Sequence, residues 1–160
     1  MDFQESKNVC YPFGSYEWGY TFGPPLAVSP INEVRRVLDY AVTEIPPEKI
    51  LMGMPNYGYD WTLPFMRGTP AQSIGLSQAV ELAQKYGVEI QYDERAQAPF
   101  FYYTDNGTQH VVWFDDPRST EAKLRLIDEY GLAGASWWTV NRCYVPGLLV
   151  QQNLYDTVKL

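Results

Sequence analysis

Histidine, cysteine and clustered positive charge are what this chain has least of, and each shortage removes a class of function. Its single histidine, His110, has no second His or Cys at metal-ligand spacing, and the two cysteines, Cys10 and Cys143, lie near opposite ends. Neither a metal site nor a cofactor is therefore expected. So wide a separation neither supports nor excludes a disulfide, which leaves the redox compartment open. The twelve Lys and Arg form no block and the formal net charge is -7. Phosphate contacts need clustered cations, so nucleic acid is set aside as a partner. No stretch approaches the roughly 18 to 20 apolar residues of a membrane span, and residues 1–8 are polar without an apolar h-region. Neither a membrane span nor a signal peptide is expected, and localisation stays unknown on these grounds.

Aromatic residues are abundant instead: 13 Tyr, 7 Phe and 5 Trp make up 16% of the chain. Such rings build cores, but they also stack on the apolar faces of sugars while their O–H and N–H groups reach hydroxyls, so composition leans towards carbohydrate. The 160 residues, 46% of them hydrophobic, suit one globular domain.

Residues 14–20 read as a short aromatic strand that Gly23, Pro24 and Pro25 break into a loop. Ser29-Pro30 then starts a helix whose Val34, Val37, Leu38, Ala41 and Val42 recur at helical spacing as far as Ile45, before Pro46 and Pro47. The apolar run 50–54 is a strand buried on both faces, which makes strand, helix, strand a parallel crossover unit. Beyond Pro55, Asn56-Tyr57-Gly58-Tyr59-Asp60-Trp61 reads as a strand end opening into a loop, where ligands sit in parallel α/β folds. Ser77 caps a helix that Gly87 ends. Strand-like segments at 90–92, 100–104 and 110–114 follow, the last two joined by the hairpin signal Asp105-Asn106-Gly107. A helix from Asp116-Pro117 or Ser119 to Gly131, a strand over 132–140 and a terminal helix over 145–158 complete the chain. The expected fold is α/β, with an antiparallel inset, residues 62–115, interrupting the second crossover. Three parallel strands cannot close a (β/α)8 barrel, which takes about 250 residues.

Three strand-end motifs carry a resemblance: Ser15-Tyr16-Glu17-Trp18-Gly19, Met54-Pro55-Asn56-Tyr57-Gly58-Tyr59-Asp60-Trp61 and Gly134-Ala135-Ser136-Trp137-Trp138. In order and spacing the chain resembles strands six, seven and eight of glycoside hydrolase family 18, in its spore peptidoglycan glucosaminidase branch, and the inset is similar to that family's α+β insertion domain. The resemblance implies the C-terminal portion of a TIM barrel, residues 1–160 being a partial catalytic domain. It implies retaining hydrolysis beside N-acetylglucosamine, with the substrate's own acetamido oxygen as nucleophile. By the same resemblance Trp138 is the floor beneath the reacting sugar, and Tyr16 orients the acetamido carbonyl. Glu17, where many chitinases have Asp, would bond sugar hydroxyls or the acid, while Asn56, Tyr57 and Trp18 would be subsite walls. The family's acid ends an Asp-x-x-Asp-x-Asp-x-Glu strand, the fourth, and that spacing occurs nowhere in these residues.

Alternation alone leaves Trp137 and Trp138 open between a structural pair and a binding platform; the resemblance singles out Trp138. A tyrosine and a carboxylate at a strand end are often merely a core ring and a solvated charge, so Tyr16 and Glu17 rest on family position. Asp60-Trp61 is weighed as a helix cap with a packed indole and stays outside the catalytic set. Asp93-Glu94-Arg95 and Asp115-Asp116 read as solvated turn charges, and His110 as a surface cross-strand residue. The expectation is a segment of an N-acetylglucosaminidase from a truncated or cut gene product, acting on peptidoglycan or a chitin-like glycan, inactive alone, of the spore or cell envelope by resemblance. The alternatives are a carbohydrate-binding module and a remnant that self-associates or pairs with the other barrel half through open strand edges.

Overall fold

A computed structural model describes residues 9–11 and 23–156. Strand β1, Val9–Tyr11, precedes helix α1, Ile31–Glu44, which buries the helically spaced Ile31, Val34, Leu38 and Ala41. The helix begins one residue later than the Ser29-Pro30 pair suggests: Pro30 is the cap, and its carbonyl accepts from the Val34 amide at 3.0 Å. The Pro46-Pro47 pair ends it as read, through a 3-10 turn at Pro47–Lys49. Strand β2, Ile50–Pro55, then runs parallel to β1, pairing Val9 with Ile50 and Tyr11 with Met52.

Strand β3 is Tyr57–Leu63, where the sequence suggested an open loop. Its alternation explains the difference: Tyr57, Tyr59, Trp61 and Leu63 point to one face, while the small and polar Gly58, Asp60 and Thr62 point to the other. The Asn, Gly and Asp that signal a turn lie instead on the strand's second face. Gly58 is required there by close packing, since a Cβ would stand 2.3 Å from the Trp113 carbonyl oxygen. After β4, Gln72–Gly75, helix α2, Leu76–Tyr86, starts at Gly75 rather than Ser77, and the Gln78 side chain accepts from the Gly75 amide at 3.0 Å. Gly87 ends it in the left-handed region, as read from sequence.

Strands β5, Gln91–Asp93, β6, Ala98–Asp105, and β7, Thr108–Trp113, complete an antiparallel sheet of order β4-β3-β7-β6-β5. The Asn106-Gly107 turn has φ 48° and 81°, the doubly positive geometry that a tight hairpin needs, and it sets Tyr103 opposite His110. Leu76, Ala79 and Ala83 of α2 cover one face, with Phe101, Val112 and Phe114, while Trp61, Val111 and Trp113 pack on the other with Ala27, Ala71 and Ala96.

Helices α3, Pro117–Leu124, and α4, Leu126–Tyr130, share the span read as one helix and break at Arg125. Asp116 caps α3, accepting from the Ser119 amide at 2.8 Å, and Gly131 closes α4 at φ 66°. Asp115 is a correction to the solvated-turn reading. Both its oxygens accept from Lys123 Nζ at 2.6 Å with the two side chains buried. The turn chemistry around Pro117 hid this, because the partner, Lys123, lies eight residues on along α3 and is buried with Asp115. Desolvation pushes the Asp115 carboxyl above the usual range, opposed by Lys123.

Strand β8, Gly134–Trp138, pairs in parallel with the opposite edge of β2, from Leu51 with Gly134 to Pro55 with Trp138. Helix α5, Val145–Leu154, is shorter than read. In the parallel sheet, ordered β1-β2-β8, Ile50, Met52 and Met54 meet α1, Leu124, Leu126 and Leu132 in the main core. Arg35 pairs with Glu129, and the Tyr130 hydroxyl donates to Asp39 at 2.7 Å, which ties α4 to α1.

Candidate functional site

Parallel strands β2 and β8 end side by side at Pro55 and Trp138. The carboxyl edge of such a sheet is where α/β folds place ligands, because the loops leaving it can vary while the strands stay fixed. The two indoles of the alternating pair differ in surroundings here. Trp137 turns back to the helices, its indole N–H donating to Gln151 of α5 at 2.5 Å, whereas Trp138 is 70% exposed. An indole spread over open surface at a strand terminus is a flat apolar platform.

Asn56, in the bend between β2 and β3, holds the backbone that carries this indole. Its backbone N–H donates to the Trp138 carbonyl at 2.7 Å and its side-chain amide donates to the Thr139 carbonyl at 3.0 Å. The residue is only 5% exposed, so its amide NH2 serves the backbone that carries Trp138. The Trp138-Thr139 peptide is cis. Tyr57, half-buried, is the outermost ring of an edge-to-face ladder, 5.7 Å from Tyr59, which stands 5.6 Å from Trp61. The buried Trp61 indole donates to the Leu26 carbonyl at 3.3 Å, anchoring the ladder in the sheet. Of the residues expected from sequence, Asn56, Tyr57 and Trp138 thus gather at one end of the parallel sheet. Tyr16, Glu17 and Trp18 lie outside the described residues.

Sequence reasoning missed a polar group on the opposite face of β3. Asp60, weighed as a helix cap, is a buried mid-strand carboxylate: it accepts from the Tyr103 hydroxyl at 2.6 Å, and His110 Nδ1 lies 3.0 Å from its other oxygen. Tyr103 stacks on His110 at 4.7 Å. Burial, followed by the hydrogen bond to Asp60, holds the Tyr103 phenol well above its usual range. The hairpin turn was legible and places Tyr103 opposite His110, but Asp60 joins them through the long-range pairing of β3 with β7, which no local pattern announces. Among the described residues, no group of three His, Cys, Asp or Glu could hold a metal, and no helix is long and apolar enough to cross a membrane.

Known proteins share the fold that carries these residues. The family model described as Glycosyl hydrolases family 18 matches residues 14–142. The Cortical fragment-lytic enzyme of Bacillus subtilis (strain 168) is 49% identical over 147 residues, covering 91% of this chain and 34% of that protein. The Putative sporulation-specific glycosylase YdhD of the same organism is 39% identical, covering 83% and 32%. Among solved structures, the Bacillus cereus spore cortex-lytic enzyme SleL superimposes with a TM-score of 0.83 at 45% identity, over 88% of this chain and 33% of that one. The C-terminal domain of a putative chitinase from Desulfitobacterium hafniense DCB-2 does so with a TM-score of 0.74 at 36% identity, over 88% and 45%. The chain spans about a third of the length of the curated relatives it matches.

Proposed function

Because the chain belongs to glycosyl hydrolases family 18, we propose that it forms the glycan-holding wall of a family 18 site for N-acetylglucosamine-containing peptidoglycan or a chitin-like polymer. In this reading β2 and β8 are barrel strands seven and eight, the Ser15-Gly19 motif belongs to strand six, and residues 62–115 lie within the insertion domain, whose sheet already starts at Tyr57. The observation that carries it is Trp138, 70% exposed at the end of β8 on a backbone held by Asn56.

Each demand of substrate-assisted hydrolysis has its candidate. The sugar undergoing reaction lies on Trp138, which excludes water beneath the ring and keeps a strained conformer in place. Tyr57 walls an adjoining subsite. Tyr16 orients the acetamido oxygen for attack and stabilises the charge that develops, with Glu17 beside it. Protonation of the leaving oxygen needs an acid, and the Asp-x-x-Asp-x-Asp-x-Glu pattern that supplies it in the family is not among these 160 residues. General acid catalysis contributes about 10² to 10⁴-fold, so this chain alone binds glycan without turning it over at a useful rate. Similarity to spore cortex-lytic proteins favours spore peptidoglycan as the polymer.

Calorimetric titration with chitotetraose, run beside a reducing-end assay, tests the reading. Saturable binding without product is expected. Absence of binding would overturn the glycan wall, and steady product release would overturn the assignment of the acid to a part other than these residues.

A further inference from the structure

With 70% of its surface exposed, Trp138 draws little of its orientation from packing, so its backbone has to supply it. Strand β8 ends at this residue, and on its far side the chain continues into the segment 139–144. That segment is tied at its start, middle and end. At the start the Thr139 carbonyl accepts twice, from the Asn56 side-chain amide at 3.0 Å and from the Arg142 backbone N–H at 3.2 Å, which uses both of its lone pairs. At the end Tyr144 is buried in the apolar cluster under α2, with Leu76, Phe101 and Phe114. Between them the Arg142 guanidinium donates to the Ser73 hydroxyl of β4 at 2.6 Å.

The Ser73 bond closes a ring. Ser73 lies opposite Tyr59 in the pairing of β4 with β3, and Asn56 immediately precedes β3. From β3 the path runs through Asn56 to the Thr139 carbonyl, on to Arg142, and through Ser73 back to β3. Trp138 is attached to this ring by its own carbonyl, which accepts from the Asn56 backbone N–H at 2.7 Å. The Arg142 bond is charge-assisted and short, and it joins residues 69 apart in sequence, so local chain geometry does not impose it. It ties the chain beyond Trp138 to the sheet whose strand β3 begins with Tyr57.

We infer that Arg142 and Ser73 are positioning residues for the glycan platform: their bond makes residues 139–144 a strap through which the antiparallel sheet sets the orientation of the Trp138 indole and its spacing from Tyr57. A glycan lying on both rings meets them already placed. Ordering a free side chain on binding costs affinity, and a ring fixed beforehand avoids that cost, a gain of about threefold to tenfold for one large side chain. Neither Arg142 nor Ser73 needs to touch the sugar. The role in binding rests on the reading of Trp138 and Tyr57 as glycan-binding rings; the hold of the strap on Trp138 does not.

The test follows the Trp138 indole N–H by NMR relaxation, its signal identified by its loss in Trp138→Phe, together with chitotetraose affinity. The whole chain is compared with Arg142→Ala, Ser73→Ala, the double variant and Arg142→Lys. Each alanine variant should loosen the Trp138 indole, leave the Trp61 and Trp137 signals as they are, and weaken chitotetraose binding about threefold to tenfold. The double variant should be no worse than either single one, because all three break the same link. Arg142→Lys keeps a donor for Ser73 and should retain most of the affinity. Both side chains are exposed, so the thermal midpoint should move little; a contact serving stability alone would shift the midpoint and not the indole signal. An unchanged Trp138 signal in both alanine variants would overturn the strap. So would an affinity loss in Arg142→Ala that Ser73→Ala does not share, since Arg142 would then be touching the glycan itself. Absence of chitotetraose binding in the parent chain would overturn the glycan wall, whereas the indole signal would still show whether the strap holds Trp138.

Discussion

Asn56 was expected as a subsite wall by family position; in the structure its amide holds the Thr139 carbonyl, and its backbone the Trp138 carbonyl. Asn56→Ala therefore removes a buried donor and strands an acceptor, a loss of about 1 to 3 kcal/mol by chemical denaturation. Because the stranded carbonyl follows Trp138, glycan affinity should fall as well. Asn56→Asp keeps the shape but turns the donor into a second acceptor facing the same carbonyl, so it should be at least as damaging as Ala. Equal stability of Asn56→Asp and the parent chain would mean that the Thr139 contact carries nothing. At this scale the sequence was informative about which residues stand at strand ends and uninformative about what each touches. Alternation left Trp137 and Trp138 open, and family resemblance alone singled out Trp138. Lys123, by contrast, looks like any helix-surface cation in sequence, yet it is buried against Asp115.

Elements were read well where local chemistry decides them. Proline pairs, Asn106-Gly107 and the left-handed glycines after α2 and α4 marked their boundaries because each acts through its own backbone. Strand β3 was misread because its turn-like residues are imposed by neighbours: Gly58 by the approach of β7, and Asp60 by Tyr103 and His110. Gly58→Ala should consequently separate β3 from β7 and cost about 2 kcal/mol or more, lowering the thermal midpoint. A variant as stable as the parent would show that the two strands can part without strain. Between sheet and helix, Lys123→Met leaves Asp115 buried and unpaired, a loss of about 3 to 5 kcal/mol at neutral pH. The sign of its pH dependence follows from Asp115. Desolvation raises its pKa in the folded state, so the folded chain binds the proton more tightly than the unfolded chain. Stability from this group is thus present below the unfolded carboxylate pKa and is lost as pH rises through the folded one. Without Lys123 the upward shift grows, and Lys123→Met should lose least stability near pH 4 and most at pH 7, as denaturation at the two pH values would show. A pH-independent loss would place the cost in packing rather than charge.

Taken whole, the molecule joins a parallel α/β layer to an antiparallel sheet, and the join runs through Pro55, Asn56 and Tyr57, the segment that also meets Trp138. The α/β class and the family were legible because three strand-end motifs occur in order, and the β6–β7 hairpin was recognisable from Asn106-Gly107. The Asp60 cluster was not, since it depends on pairings between distant strands. The same join places an exposed indole at the end of β8 and holds its backbone through Asn56, and the proposed glycan site rests on that arrangement. The most direct test is intrinsic fluorescence during titration with chitotetraose, comparing the parent chain with Trp138→Ala. Covering roughly 100 Å² of indole is worth about 2.5 kcal/mol, well over a tenfold change in affinity. The parent should show a saturable change in emission that Trp138→Ala loses, together with at least tenfold in affinity, while its circular dichroism stays unchanged. Undiminished chitotetraose affinity in a folded Trp138→Ala chain would contradict the account.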